Sequence, residues 1–585
     1  MSLLNSASLV VTPNGYKEGT LYSVIPNTTL GDMTVVRATT ATRVNSAGLI
    51  ELVPYNLLTY SEALTPNYTF NQCSITSNQT DPNGTNNAKR ITNGGTANDA
   101  YFEQSIGITN NTYTWSIFVK QGTATTATIR PVHVGIGGDV SLLTFTFATQ
   151  TITSSGLITT SGFIALPNGW FRIFCSIPIT NAVSSLRGRF GNPNTPNVYN
   201  DWFGAQLVEG STAKDYLRTE TRLNIPRLDY SNGTCPSILV EPQRTNVKTN
   251  SENASGSNWG TAVRVNATIN SIASPDGNVT ANSIADTAVS GTHAFEPSFS
   301  ATSGTAYTFS VFAKANTLSQ VVIYGYADNG VFAGQQAIFN ITNGTVISNT
   351  GGGTTNVVNY GNGYYRVSLT LTSGATSTGY WAFGLAKNGL ASYLGDGSSL
   401  YMWGCQLEAG SYPTSYIPTT SAAVTRNADA ISKTGISALI GQTEGVFYLD
   451  LYASAKNNDA NTYATWLVAG NASDNFQIYN IGTTLYWYAR NTASVFIDQS
   501  ADQTIVEGTR YKIAFAYKSG DYALYINGVQ KRTNANANVP VALSQFNLSA
   551  GGFGASPAIV KNEYNSAVLF PTRLTNAELS QLTTI

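Results

Sequence analysis

The chain states one passage twice. "NDWFGAQLVEGSTAKDYLRTETR" runs from Asn200 to Arg222, and "YMWGCQLEAGSYPTSYIPTTSAAVTR" runs from Tyr401 to Arg426. Each has an aromatic, a glycine, Gln-Leu, a carboxylate, then Gly-Ser. A tyrosine follows six residues after the second glycine, Tyr216 after Gly210 and Tyr416 after Gly410. Extended backwards, the match keeps its order. "YTWSIFVKQG" at Tyr113 answers "YTFSVFAKAN" at Tyr307, and "NGWFRIFCSIPIT" at Asn168 answers "NGYYRVSLTLTS" at Asn362, both at an offset of 194. "NLLTYSE" at Asn56 answers "NVKTNSE" at Asn246 at an offset of 190, and the two tyrosines are 200 apart. Drift of this size falls between strands, where insertions are tolerated. A chain built this way holds two homologous domains, at 55–220 and 245–420.

Length agrees, since 585 residues exceed the roughly 250–300 that one hydrophobic core organises. Composition then sets the class. Charged residues are 11% of the chain and the net charge is −1, so no electrostatic footprint for nucleic acid or an anionic membrane is present. Thr, Ser, Asn and Gly supply an uncharged polar surface, and 32 tyrosines stand against 3 methionines. Thr and Tyr favour strands, while Gly and Asn favour turns. This is an all-β composition.

Within a copy, "YTWSIFVK" places Tyr113, Trp115, Ile117 and Val119 on one face and Phe118 on the other, as a strand buried partly on both sides does. Tight turns are expected at "NGW" (168–170) and "NGY" (362–364), where glycine supplies φ > 0. Many short strands between Asn-Gly and Ser-Gly turns predict a jelly roll of two antiparallel sheets. The remaining pieces are a leading segment 1–54, a connector 221–244, a linker 421–442 and a C-terminal domain 443–585. Thr-Arg pairs at Arg43, Arg222 and Arg426 mark the joints, as anchors or as solvated linker arginines. The runs "SLVV" and "MTVV" in 1–40 are strand-like without a repeat partner, so the segment is expected to dock elsewhere by strand addition. On that expectation, deleting 1–40 leaves 55–585 folded. Thr575 with Glu578 forms a capping box for a single terminal helix.

"AFAYKSGDYALYINGVQ" followed by "LFPTRLTNAEL" resembles the laminin-G/concanavalin-like lectin sandwich over 440–585. The doubled "NLLTYSE … YTFSVFAK … NGYYRV … WGCQLEAGSYPTSYIPT" resembles carbohydrate-binding-like jelly-roll modules of bacteriophage tail-fibre and head-fibre proteins, over 40–430. The fold class expected is therefore all-β, tandem β-sandwich (jelly-roll) domains plus a concanavalin/laminin-G-like sandwich. The resemblance implies a structural virion fibre or decoration protein that binds host-surface glycans for adsorption. Its implied partners are capsid or tail proteins, reached through the N-terminal segment, and host-surface polysaccharide. It implies a homo-oligomer, a trimer first, although no coiled-coil heptads occur. The implied location is the virion surface after synthesis in the host cytoplasm. "MSLLNSASLVV" lacks a secretory pattern, and no segment reaches the roughly 18 apolar residues that span a bilayer. The alternatives are a virion decoration protein without sugar binding and a glycan-degrading enzyme.

Catalytic signals are thin. His133 and His293 do not correspond between the copies, and no G-x-S-x-G elbow occurs. Glycosidases need paired carboxylates. Glu103 and Glu296 recur, as do Glu209 and Glu408, but recurrence suits structure as well as chemistry. No catalytic residue is assigned. Cys73, Cys175, Cys235 and Cys405 show no CxxC spacing and read as isolated buried thiols. Calcium is a candidate cofactor without an assigned site. Asp474, Asp498, Asp502, Asp521 and the "GDGSS" at 395–399 supply carboxylates but no ligand-dense loop.

Sugar binding by aromatic stacking suits an uncharged surface. Core positions recur between copies, so aromatics without a counterpart are the candidates: Trp202 (opposite Met402), Tyr326, Trp381 and Tyr393. In the C-terminal domain Trp466, Tyr479 and Trp487 join them, although "LYWYAR" alternates like a core strand.

Overall fold

The pattern in "YTWSIFVK" becomes the central strand Asn111–Gln121. Tyr113, Trp115, Ile117 and Val119 enter one core, and Phe118 joins Trp170 and Phe203 on the opposite face. The architecture is that of a computed structural model. It describes residues 3–53, 56–94, 100–107, 111–134, 141–179, 185–192, 195–453, 463–549 and 557–585. Two compact units result, Val53–Leu223 and a second made of Met1–Leu52 with Asn224–Ile585.

The first unit holds two six-stranded antiparallel sheets. One runs Thr160–Ala165, Trp170–Ile179, Asn111–Gln121, Tyr199–Glu209, Ala88–Asn93, Cys73–Gln79. The other runs Thr151–Ser155, Leu142–Thr146, Thr126–Val134, Ser185–Gly191, Tyr101–Ile106, Thr69–Asn71. Residues 261–409 of the second unit repeat both orders. Their first sheet is Thr354–Asn359, Tyr364–Thr372, Ala306–Ala315, Ser399–Ala409, Val279–Asp286, Val265–Ala273. Their second is Thr345–Thr350, Gln335–Asn340, Gln320–Gly325, Ser377–Ala386, Ser290–Glu296, Thr261–Val263, with two further short strands attached. We call the two sandwiches module 1 and module 2.

The doubled passage owes its spelling to a β-bulge. Pairing slips between Ser116 and Phe118 in module 1 and between Ser310 and Phe312 in module 2. Opposite the slip sit Gly204 (φ 61°) and Gly404 (φ 63°), where the backbone is left-handed. A Cβ on Gly204 would lie 2.9 Å from both Phe118 and Tyr216, so a side chain is excluded by space as well as by φ. The neighbouring glutamine then holds the exit loop. Gln206 Oε1 accepts from Leu217 N at 2.8 Å, and Gln406 Oε1 accepts from Ile417 N at 2.7 Å. Asn56 and Asn246 donate to the carbonyls of those same two residues, both at 2.9 Å. Tyr216 and Tyr416 pair through their hydroxyls with Ser61 and Ser251. These residues are fold determinants.

The C-terminal sandwich does not close on its own strands, and here the expectation from sequence is corrected. Leu9–Val11 of "SLVV" pairs with Ala567–Leu569, and Val35 and Val36 of "MTVV" pair with Ile431 and Ala430. Ser237–Val240 of the connector pairs with the strand Asn562–Phe570, and Ala430–Thr434 of the linker pairs with Gln545–Asn547. The leading segment, connector and linker thus add strands to this sandwich. Their backbone groups have partners inside the chain, which removes the reason for strand addition to another protein. The terminal helix Asn576–Thr583 carries the expected capping box.

A buried ionic hub gathers the same segments. Arg37 Nη1 lies 2.7 Å from Asp429, and Arg227 bonds both Asp429 and Glu241, the latter at 2.8 Å. Arg426 Nη1 lies 2.7 Å from Glu241, and Ser415, inside the doubled passage, donates to Glu241 through its N–H at 2.8 Å and its hydroxyl at 2.7 Å. Burial pushes the Glu241 and Asp429 carboxyls up. The arginines outweigh it and hold both below their usual range. Of the three marked arginines, only Arg426 enters the hub. Arg43 pairs with Glu51 at 2.8 Å, and Arg222 is half-buried at the edge of the first unit.

Two outcomes are expected. Glu241→Gln leaves buried arginine charge unmatched and should cost about 3–5 kcal/mol in the second unit, read as its urea transition, with the transition of Val53–Leu223 unmoved. Because both carboxyls titrate lower in the folded state, their stabilisation is full above their unfolded values, about 4.3 for Glu241 and about 3.9 for Asp429, and drains away as pH falls below them. The variant should show a shallower acid loss than wild type. Second, deleting 1–40 should unfold the C-terminal sandwich, seen as loss of its near-ultraviolet circular dichroism. Retention of that signal would contradict the pairing described.

Candidate functional site

Four of the proposed sugar platforms are core residues. Trp202, Trp381, Trp466 and Trp487 have no solvent-accessible surface. Trp202 packs edge-on to Phe102 at 5.5 Å, Trp381 lies 4.8 Å from Phe332, and Trp487 lies 5.1 Å from Phe515. Trp466 donates its indole N–H to Asn480 at 2.9 Å. A ring enclosed on both faces cannot stack on a sugar, so these four are withdrawn. Tyr479 is buried too, its hydroxyl 2.5 Å from Asp498. Tyr326 and Tyr393 are half-buried.

Tyr393 serves the fold of module 2. Its hydroxyl donates to Asp286 at 3.0 Å, and its ring lies 4.6 Å from His293. Asp286 also accepts from the N–H groups of Asp396 and Gly397 at 2.9 and 2.6 Å. The "GDGSS" turn therefore brings donors to a carboxylate, the opposite of a calcium cage. Asp396 is itself taken by Lys387 at 2.5 Å. Asp474, Asp502 and Asp521 are engaged separately, with Thr492, Arg532 and Arg573. Among the described residues no three His, Cys, Asp or Glu side chains gather as a metal site.

Tyr326 belongs to a built surface. In the second sheet of module 2, Val321, Ile323, Trp381, Phe383 and Leu385 point into the core. Alternation sends Tyr324, Tyr380 and Ala382 to the outer face. Tyr324 stands opposite Ala382 on one side and Gln336 on the other. Tyr326 continues the ladder with its N–H on Tyr380 O at 3.1 Å, and its ring meets Tyr324 edge-on at 4.7 Å. Its hydroxyl donates to Glu296, which lies two strands away, about 10 Å at the usual strand spacing. Only a ring laid along the sheet reaches that far, and the small Ala382 leaves room beneath it. Burial first, then the bond to Glu296, raises the Tyr326 hydroxyl above its usual range, so it stays a phenol. The result is a half-exposed face of Tyr324, Tyr326 and Tyr380, edged by Glu296 and Gln336.

A second outward tyrosine row lies on the C-terminal sandwich. Tyr486 and Tyr488 alternate with the core residues Leu485, Trp487 and Ala489. Tyr486 stacks on Tyr479 at 5.3 Å with the planes 3° apart, and Tyr488 stands opposite the exposed Asp498. Sequence reasoning missed Tyr324, Tyr380, Tyr486 and Tyr488. The usable signal was the half of each alternating strand that the core left over.

The carboxylates that recur between the copies have structural partners. Glu103 takes Arg189 at 2.8 Å, and Glu408 is enclosed with Thr414 and Gln406. Of the cysteines, Cys175 and Cys405 are buried, and burial pushes the Cys405 thiol up to about 12. Cys235 is exposed, unlike the buried thiol expected of it. No described helix is long and apolar enough to cross a membrane.

No protein-family model matches the chain, and no curated protein does. Solved structures do show local likeness. The CBM40 module of the Ruminococcus gnavus IT-sialidase, bound to α2,3-sialyllactose, is 16% identical over 25% of this chain and 84% of that one, with a TM-score of 0.21. A botulinum neurotoxin type C structure, described as depending on two ganglioside molecules for cell entry, is 12% identical over 27% of this chain and 39% of that one, TM-score 0.23. Domain 4 of the Geobacillus stearothermophilus arabinanase AbnA, in complex with arabinotriose, is 16% identical over 30% and 82%, TM-score 0.22. At identities and TM-scores this low the likeness carries no inference about this chain's ligand. The β-sandwich class rests on the sheets themselves.

Proposed function

We propose that the protein is a non-catalytic glycan-binding protein, and that the outer tyrosine face of module 2 is its principal binding surface. The observation that carries this reading is the half-exposed cluster of Tyr324, Tyr326 and Tyr380 with Glu296 and Gln336 at its edge. Aromatic faces carry negative quadrupole charge and attract the C–H faces of a pyranose, while a carboxylate and an amide accept and donate hydrogen bonds to its hydroxyls. Such a surface needs no net charge on the ligand. It positions no nucleophile and no acid–base pair, because the Glu296 carboxylate is held by the Tyr326 phenol. The outward Tyr486 and Tyr488 offer a second platform, and two linked weak sites raise apparent affinity by about 10²–10⁴-fold when both engage.

The finer reading is a virion fibre or decoration protein of a bacteriophage, displayed on the particle surface as a trimer and using these faces for adsorption. Its support is the doubled passage and the order of motifs shared with phage jelly-roll modules. The N-terminal strands are occupied within the chain, so attachment to capsid or tail proteins would use some other surface.

A glycan array probed with the full chain tests the binding reading. Bound neutral glycans are expected, and Tyr380→Ala or Tyr324→Ala should weaken them about tenfold, equivalent to about 1.4 kcal/mol. An array without neutral hits, or variants that bind as wild type does, would overturn it.

A further inference from the structure

The two modules keep one outer sheet face and fill it with different chemistry. Arg130 stands opposite Arg189 in module 1, as Tyr324 stands opposite Ala382 in module 2. One rung along, Val132 and Arg187 hold the places of Tyr326 and Tyr380. The carboxylate is retained, as Glu103 in module 1 and Glu296 in module 2, each following a core phenylalanine, Phe102 or Phe295. Where module 2 presents three phenol rings, module 1 presents three guanidinium groups.

The guanidiniums are arranged rather than merely present. Buried Glu103 accepts Arg189 Nε at 2.8 Å and Arg187 Nη1 at 3.4 Å. Arg189 is further fixed by the Tyr101 ring, 4.2 Å below its guanidinium. Arg130 directly faces Arg189 across the ladder and brings a third guanidinium to the same face. Arg187 is the reachable member. Its side chain keeps 36% of its surface exposed, and its enclosed Nε has no acceptor among the described residues. Gly188, between the two arginines, turns its α-carbon onto Trp115, where a Cβ would come within 2.4 Å of the indole. The strand thus lies tight on the core, and its arginines stand on a rigid base.

We propose that this face of module 1 binds an oxyanion carried by a glycan, a carboxylate or a sulfate, with Arg187 meeting the charged group and Arg189 flanking it. A planar fork of N–H donors matches either oxyanion in a bidentate manner. The inference rests on the glycan-binding reading only for the kind of molecule that carries the anion. It assigns a different ligand class to a different module.

Calorimetry on the full chain tests it with three probes: an oligogalacturonate, its carboxyl-reduced neutral derivative, and a sulfated galactan oligosaccharide. At least one anionic probe should bind about tenfold or more tightly than the neutral one and weaken as salt rises. Binding of the uronate assigns a carboxylate, and binding of the galactan alone assigns a sulfate. Arg187→Gln should lose about tenfold, with Arg187→Lys between it and wild type. Tyr380→Ala should bind the acid as wild type does, so failure of the tyrosine face leaves this result intact. A thermal melt matching wild type shows that Arg187→Gln is folded. The proposal is overturned if neither anion binds, if the reduced derivative binds equally well, if Arg187→Gln matches wild type, or if Tyr380→Ala removes binding of the acid.

Discussion

Three arginines and two carboxylates buried together decide how the larger unit is assembled. Arg37 comes from the leading segment, Arg227 and Glu241 from the connector, Arg426 and Asp429 from the linker. Each segment is too short to hold a core of its own. Each contributes a strand to the C-terminal sandwich and a charge to the hub. A buried ion pair adds little net stability, because desolvation offsets the attraction, but an unmatched buried charge is costly. The hub therefore acts mainly by excluding other pairings, while the apolar cluster of Leu9, Val35, Ile238, Ile431 and Phe447 supplies the driving force. Ser415, hydrogen-bonded to Glu241, ties the exit loop of module 2 into the same arrangement. Module 2 and the C-terminal sandwich consequently belong to one compact unit.

Duplication separates what the fold needs from what the surface does. The bulge glycines Gly204 and Gly404, the loop-holding glutamines and the tyrosine–serine pairs repeat because each satisfies backbone groups or fills space that both sandwiches share. On the outer face only the carboxylate repeats. Tyrosines beside Glu296 suit a neutral ring, and arginines beside Glu103 suit an anion. One scaffold thus presents two surface chemistries on the same outer face.

Much of the fold was legible. The strand-favouring composition and the turn pattern pointed to antiparallel β-sandwiches, as observed, and Phe118 was correctly set on the opposite face from Trp115. The outward-facing aromatics were not, and the reason lies in the packing. Aromatics without a counterpart were taken as surface residues, but the cores compensate. Trp115 over Gly188 in module 1 becomes Phe309 stacked on Trp381 in module 2, at 5.9 Å. Trp202 against Phe102 is replaced by Trp259, from another part of the chain, against Phe295 at the same 5.5 Å. Close packing preserves the filled space and not the position that fills it. The N-terminal strands were recognised as strands, but partners more than 390 positions away leave no local trace in the sequence.

Whether the tyrosine face of module 2 receives a glycan is decided by a crystal structure of the full chain soaked with a neutral oligosaccharide that it binds. A pyranose ring lying over Tyr324, Tyr326 or Tyr380, with a hydroxyl hydrogen-bonded to Glu296 or Gln336, is expected. An oligosaccharide seated elsewhere, with these tyrosines bare, would contradict it.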